Sequence, residues 1–185
     1  MKLFLHIFCS MLRIKFFLIL TAAILCLPPV YAQNQIRLTP QDKTPAEIFG
    51  YLEKAVELIE EKGKEAYQEL TDPDGPWVSG TWYLYINNFD GYNVAHLNKK
   101  MIGKHFFAIR DVKGTAFFAE LQRAAMSEAG RGWVEFWWPK PGEKQPARKI
   151  GFVIRIPGER LWIGTGAYDL TDEEIKLLSE TLPQK

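Results

Sequence analysis

Apolar and polar positions follow a helical period in the first half of this chain. Between residues 44 and 70, apolar residues recur every three to four positions and glutamates and lysines fill the opposite face, which predicts one long amphipathic helix. Thr44, Pro45 and Glu47 form a capped start with Pro at the first helical position. Gly63 weakens the centre of this helix.

From residue 81 onward the period shortens to two, which indicates strands. Aromatic and β-branched residues mark each strand, and apolar residues at helical spacing mark two further helices. The predicted strands are residues 81–86, 93–96, 133–138, 149–156 and 161–168, and the predicted helices are 116–129 and 171–182. Gly130 and Gly132 are expected to end the first of these helices, and Thr171 with Glu174 to cap the start of the second. Together these elements predict an α+β domain built on a single antiparallel sheet.

The segment from residue 98 to residue 129 is longer than a simple connection between strands requires. Because the long helix needs one face of the sheet, this excursion has to cover the other face. A cavity between sheet and excursion is therefore the expected ligand site. Gly164 and Gly166 would allow a close backbone approach on one face of the last strand.

The first 32 residues have the pattern of a signal peptide. Lys2, Arg13 and Lys15 precede an apolar run, and two prolines follow it. We expect cleavage before Gln33, which leaves a linker over 33–43 and one domain over 44–185, in the periplasm or secreted. The alternative is an uncleaved membrane anchor, for which the apolar stretch is short.

Composition argues against catalysis and nucleic-acid binding. Without residues 1–32 the chain keeps 20 basic and 22 acidic residues, a formal charge of −2, which is unlike a nucleic-acid-binding surface. Cys9 and Cys26 lie in the signal peptide, and His96 and His105 are the histidines that remain. With no thiol, no nucleophile motif and no metal-ligand spacing, the sequence predicts neither an enzyme nor a cofactor or metal site.

Several separated sequence runs resemble one family. They include TWYLYINNFDGYNVAH, RDVKGTAFFAEL, GWVEFWWPKPG and IGTGAY. In this order they resemble the type-2 single Cache domain over nearly all of residues 44–168. The resemblance implies an extracytoplasmic PAS-like sensor fold, with a long N-terminal helix on a five-stranded antiparallel sheet and a ligand pocket on the far face. Asn88, Leu97 and Phe152 depart from the family's pattern.

The resemblance also implies a function and its partners. Such domains are usually the input modules of chemoreceptors and histidine kinases, and they often bind small carboxylates. Because no kinase or second membrane segment follows Tyr168, we expect a free-standing, non-catalytic sensor of a small organic ligand, partnered by a membrane-bound receptor or kinase. The alternative is a structural or docking module for a membrane-bound signalling or redox partner, with a vestigial pocket.

Three basic residues are candidates for binding a carboxylate. His96 and Lys104 occupy family motif positions at the edge of the expected cavity, and either could pair with an anion. Alternatively, the Lys104 side chain lies in solvent, and His96 only forms a hydrogen bond within the hairpin. Lys149 either reaches the pocket or marks the start of its strand.

Aromatic side chains complete the predicted site. Tyr83 and Tyr85 share one face of their strand and carry polar tips that suit a polar ligand. Phe136 and Trp138 match the family's aromatic positions, and either could belong to the core or to the pocket. The nearby Glu135 is either a functional carboxylate or a residue that faces solvent. The predicted ligand-binding set is Tyr83, Tyr85, His96, Lys104, Phe136, Trp138 and Lys149.

Overall fold

The computed structural model describes residues 44–181. The predicted signal peptide and the linker over 33–43 lie outside this range. Helix α1 spans Pro45–Lys62, and its capping box is present, with the Glu47 amide donating to the Thr44 hydroxyl at 3.4 Å. The predicted helix does not run unbroken to residue 70. Gly63 has a φ of +61°, so a 3-10 turn intervenes before α2 (Ala66–Leu70).

Five antiparallel strands form one sheet. The strands are β1 (Tyr85–Asn88), β2 (Asn93–His96), β3 (Arg131–Pro139), β4 (Pro146–Arg155) and β5 (Leu161–Tyr168). Their order in the sheet is β2-β1-β5-β4-β3, and every neighbouring pair is antiparallel. This is the predicted α+β arrangement, and the bounds of β2 and β5 agree with the prediction.

The first strand starts later than predicted. Residues 81–84 lie outside β1 because Ser79 and Trp82 pair with each other through two backbone hydrogen bonds of 3.0 and 2.9 Å. The alternation of side chains nevertheless holds through this segment. Trp82 and Leu84 lie in the core beneath α1, whereas Tyr83 lies with the residues of the other sheet face.

Two apolar layers cover the two faces of the sheet. On one face, α1 packs against the sheet, and Phe49 of α1 meets Phe152 of β4 edge to face at 5.7 Å. On the other face lies α3 (Phe117–Met126), which contributes Phe118 and Leu121 to the second layer. The excursion over residues 98–129 therefore covers the sheet face opposite the long helix, as the sequence predicts.

Two boundaries near the third strand differ from the sequence prediction. Helix α3 ends at Met126 instead of residue 129. Gly132, expected to help end that helix, lies inside β3 opposite Val153. Strands β3 and β4 pair with each other as far as Pro139 opposite Pro146. This pairing includes Gly132 in β3 and shortens the predicted loop between the two strands.

The last helix, α4 (Asp172–Thr181), is tied to the sheet by an ion-pair network. Arg148 of β4 bonds Asp172 at 2.6 Å and Glu135 at 3.1 Å. Glu135 is thus a structural partner of Arg148 and does not line the pocket described below. Thr171 and Glu174 form the capping box predicted for this helix. Over residues 44–181, no helix is long and apolar enough to span a bilayer.

Candidate ligand-binding pocket

A pocket with two adjacent chambers lies on the sheet face that α3 covers. We call the smaller chamber, which Lys149 lines, the inner chamber, and the larger one, which the β3–β4 loop lines, the outer chamber. Their volumes are about 50 Å³ and about 460 Å³. The inner chamber is lined by Tyr83, Tyr85, Asn87, Asn93, His96, Met101, Phe106, Phe118, Phe136, Trp138 and Lys149. The outer chamber adds Leu97, Asn98 and the β3–β4 loop from Pro139 to Glu143. Among the residues that the structure describes, no carboxylate or thiol lines the inner chamber.

Strand register places one lysine at the centre of the inner chamber. On β4, Lys149 lies directly opposite Phe136 of β3 and Tyr168 of β5. Directly opposed residues in antiparallel strands place their side chains on the same face about 5 Å apart. The lysine is therefore flanked by two aromatic rings, and its Nζ lies 5.0 Å from the centre of the Tyr168 ring and 5.9 Å from that of Phe136.

The charge of Lys149 is buried without a protein anion. The residue is 2% exposed, and its Nζ donates a hydrogen bond of 2.8 Å to the hydroxyl of Tyr83. An ammonium group carries three N–H donors. Within residues 44–181, Nζ has no other hydrogen-bond acceptor and no carboxylate at ion-pair distance, and its remaining contacts are with aromatic rings. This ammonium group therefore has no counter-ion among residues 44–181, and an unpaired buried charge is energetically costly.

Two glycines on β5 leave the space that the side chains above them fill. A Cβ at Gly166 would overlap the Cε of Lys149, and a Cβ at Gly164 would lie 2.6 Å from the ring of Tyr85. Both contacts are closer than real Cβ atoms make. The two glycines therefore form the floor on which the lysine and the tyrosine lie, in accordance with the close approach that the sequence predicts.

Two further tyrosine hydroxyls are held by the backbone. The hydroxyl of Tyr85 donates to the carbonyl of Thr165 at 3.3 Å, and that of Tyr168 donates to the carbonyl of Pro139 at 2.9 Å. Burial raises the pKa of both phenols, so both stay protonated and uncharged. The Tyr168 bond also attaches the start of the outer-chamber loop to β5.

His96 lies at the junction of the two chambers as a neutral side chain. Burial, and then the positive charge of Lys149, lower the pKa of His96 to about 4. Its Nδ1 accepts a hydrogen bond of 2.8 Å from the Asn98 amide, so in the neutral ring the proton resides on Nε2. The ring packs near Tyr83, with 5.2 Å between centres. His96 can therefore donate to a ligand without carrying a charge.

These residues are suited to binding an anion. The inner chamber combines one buried ammonium group, a neutral imidazole and aromatic walls. Within the described residues, no group of three or more His, Cys, Asp or Glu side chains is placed to hold a metal ion.

Comparison with known proteins assigns the fold to a family. A family model with the description Cache domain matches residues 45–183. This chain belongs to the Cache domain family. The Cache family consists of extracytoplasmic sensor domains, and the resemblance inferred from the sequence is confirmed.

Relatives of this Cache domain include chemotaxis proteins. The chain is 32% identical over 87 residues to the methyl-accepting chemotaxis protein McpP of Pseudomonas putida; the match covers 46% of this chain and 16% of that receptor. A solved methyl-accepting chemotaxis protein from Vibrio parahaemolyticus is 24% identical, with a TM-score of 0.57, over 70% of this chain and 89% of that one. This likeness confirms the fold.

A second similar structure is that of a Cache chemosensory domain, solved to explain how it recognises a carboxylic acid. It is 26% identical to this chain and superimposes with a TM-score of 0.55. The match covers 68% of this chain and 88% of that domain. Carboxylic acid recognition is a property of that protein.

Six of the seven residues predicted from the sequence line the inner chamber of this Cache domain. They are Tyr83, Tyr85, His96, Phe136, Trp138 and Lys149. Lys104 is not brought to the pocket. Its side chain is exposed. Its backbone carbonyl accepts a hydrogen bond of 3.0 Å from the amide of Asn93 in β2.

Other lining residues could not all be found from the sequence. Asn87 shares a strand face with Tyr85, so the period of two could have identified it. Met101 and Phe106 come from the irregular part of the excursion, where no periodicity marks a buried position. The contact between Tyr168 and Lys149 depends on the register of β4 and β5 and has no local signal in the sequence.

Proposed function

We propose that this Cache domain is a non-catalytic extracytoplasmic sensor that binds a small carboxylate in its inner chamber. The observation that carries the proposal is the buried ammonium group of Lys149, which has no protein anion within the described residues. A bound carboxylate would supply that counter-ion, and charge-assisted hydrogen bonds of this kind are roughly twice as strong as neutral ones.

The size of the inner chamber supports a small ligand. Its volume is about 50 Å³. Because each water-sized group occupies roughly 10 to 15 Å³, the chamber accommodates roughly three to five non-hydrogen atoms. Acetate and propionate are of this size. The aromatic walls supplied by Phe118 and Phe136 suit a short alkyl chain better than a second charged group.

The relatives support the same proposal. One similar structure is a Cache chemosensory domain that recognises a carboxylic acid, and McpP is a chemotaxis protein. On this proposal residues 1–32 are a cleaved signal peptide, and the domain over 44–185 acts in the periplasm or after secretion. Its expected partner is a membrane-bound receptor or kinase.

The proposal is tested with ligands of one shape and different charge. Propionate, propionamide and propylamine are titrated into the purified protein by isothermal calorimetry. We expect propionate to bind and the amide and the amine to fail, since only the carboxylate completes the ion pair with Lys149. Thermal shift gives a second readout, because a ligand at 100 times its Kd stabilises by about 2.7 kcal/mol.

Two outcomes would contradict the proposal. Equal binding of propionate and propionamide would show that charge does not matter. Failure of propionate to bind would favour the docking module with a vestigial pocket.

A further inference from the structure

The boundary between the two chambers is built by four side chains. Tyr83, His96, Met101 and Trp138 line both the inner and the outer chamber. We call this set the neck. Any ligand anchored at Lys149 that is too long for the inner chamber has to pass the neck to reach the outer one.

Three of the four neck residues are fixed by polar or ring contacts. Tyr83 accepts the hydrogen bond of Lys149, and its carbonyl accepts one of 3.0 Å from the hydroxyl of Thr165. His96 is held by the Asn98 amide. Trp138 belongs to β3, and its ring lies 5.2 Å from that of Phe117 in α3. Moving any of these side chains would break a contact with the sheet or with α3.

Met101 is held differently. It ends the 3-10 turn Lys99–Met101, and its backbone is anchored, with its amide donating to Asn98 at 2.9 Å and its carbonyl accepting from Lys104 at 3.1 Å. Its half-buried thioether side chain packs against the apolar layer and makes no hydrogen bond in the part of the chain that the structure describes. A methionine side chain adapts its rotamer easily. Met101 is therefore the one neck side chain that is held by apolar packing alone.

We propose that Met101 is the specificity-determining residue that sets the maximum chain length of the carboxylate. The inference rests on the proposed function. The outer chamber of about 460 Å³ has ample room for a longer alkyl chain, whereas the inner chamber of about 50 Å³ has none. The Met101 side chain lines both spaces, and on this inference it limits how many methylene groups extend from the inner chamber into the outer one.

The test measures a chain-length series on the intact protein. Acetate, propionate, butyrate and valerate are titrated by calorimetry into the wild type and the Met101→Ala variant. In the wild type we expect affinity to fall beyond propionate. In the variant each added methylene should gain about fourfold from burial. Valerate, with two methylenes more than propionate, should therefore bind at least about fifteenfold tighter to the variant than to the wild type, while acetate changes by less than about threefold.

Two companion variants sharpen the result. Met126→Ala makes the same substitution at the end of α3, where the side chain is 59% exposed and outside both chambers, and it should leave the series unchanged. Met101→Phe should act in the opposite direction and weaken propionate relative to acetate, because the larger ring narrows the neck.

The outcomes separate this inference from the proposed function. Acetate binding with an unchanged length profile in both Met101 variants would overturn the inference and leave the function intact. A parallel change for all four acids would assign Met101 a purely structural role and overturn the inference as well. If neither the wild type nor any variant binds a carboxylate, the proposed function fails, and the inference fails with it.

Discussion

Replacement of Lys149 by methionine separates ligand binding from stability. Methionine keeps the length and apolar stem of the lysine and removes the ammonium group that donates to Tyr83 at 2.8 Å. At about 3 Å and an effective dielectric constant of about 20, the attraction between this ammonium group and a carboxylate is roughly 5 kcal/mol. Desolvation of the ligand takes back roughly half of this gain. We therefore expect Lys149→Met to weaken propionate binding by roughly a hundredfold.

The ligand-free protein should respond differently to the same substitution. Removing the buried charge relieves a desolvation cost of several kcal/mol. The substitution also loses one charge-assisted hydrogen bond, of about 2 kcal/mol, and the ring contacts of Nζ, of about 2 kcal/mol together. These effects nearly cancel, so the free energy of unfolding without ligand should change by less than about 1 kcal/mol.

Calorimetric titration and urea unfolding of the same preparations check both expectations. Lys104→Met is the matched control, since it removes an equal charge from an exposed side chain and should leave affinity and stability unchanged. Propionate binding retained at wild-type affinity in Lys149→Met would refute the assignment of the counter-ion. A large loss of stability in the ligand-free variant would instead assign the lysine a structural role. Equal effects of the two substitutions on binding would also refute the assignment, because they would reflect only the loss of positive charge from the protein.

Three other predictions concern the pocket floor, the neutral histidine and the opposite core. Gly166→Ala should displace the Lys149 side chain and weaken propionate binding about tenfold or more, as calorimetry would show, because the added Cβ overlaps Cε. Since the pKa of His96 is lowered from 6.5 to about 4, the unfolded chain binds a proton that the folded chain does not, so the free energy of unfolding should fall by roughly 3 kcal/mol between pH 6.5 and about 4. Urea unfolding across this range should show a flatter profile for His96→Gln; an unchanged profile would contradict the burial argument. Phe152→Ala removes a fully buried ring that meets Phe49 and should cost about 3 to 5 kcal/mol in urea unfolding, with propionate affinity preserved because the ring lies on the opposite sheet face.

Features that depend on neighbouring residues could be predicted from the sequence. The capping boxes at Thr44 and Thr171 form within a single turn of chain, and both are present. The alternation of Tyr83 and Tyr85 against Trp82 is confirmed even where the backbone leaves the sheet, because successive side chains of an extended chain point to opposite sides. These local rules place Tyr83 and Tyr85 on one face of the chain, but they do not decide which face of the sheet lines the pocket.

Boundaries were less predictable because distant backbone groups compete for the same donors and acceptors. The segment before β1 has strand-like composition, yet Trp82 pairs with Ser79 instead of a neighbouring strand. Gly132 resembles a helix stop in the sequence but pairs with Val153 once β3 meets β4. Neither outcome depends on the propensity of the residues themselves.

The contrast between two lysines shows what only the tertiary structure decided. By sequence, Lys104 and Lys149 were both candidates for the same role. Lys149 is buried because Phe136, Tyr168 and Gly166 come from other strands, and its hydroxyl partner, Tyr83, is 66 positions away in the chain. Lys104 meets no such enclosure and lies in solvent. The periodicity that forms strands acts over a few residues, whereas burying a charge requires groups that only the folded sheet brings together.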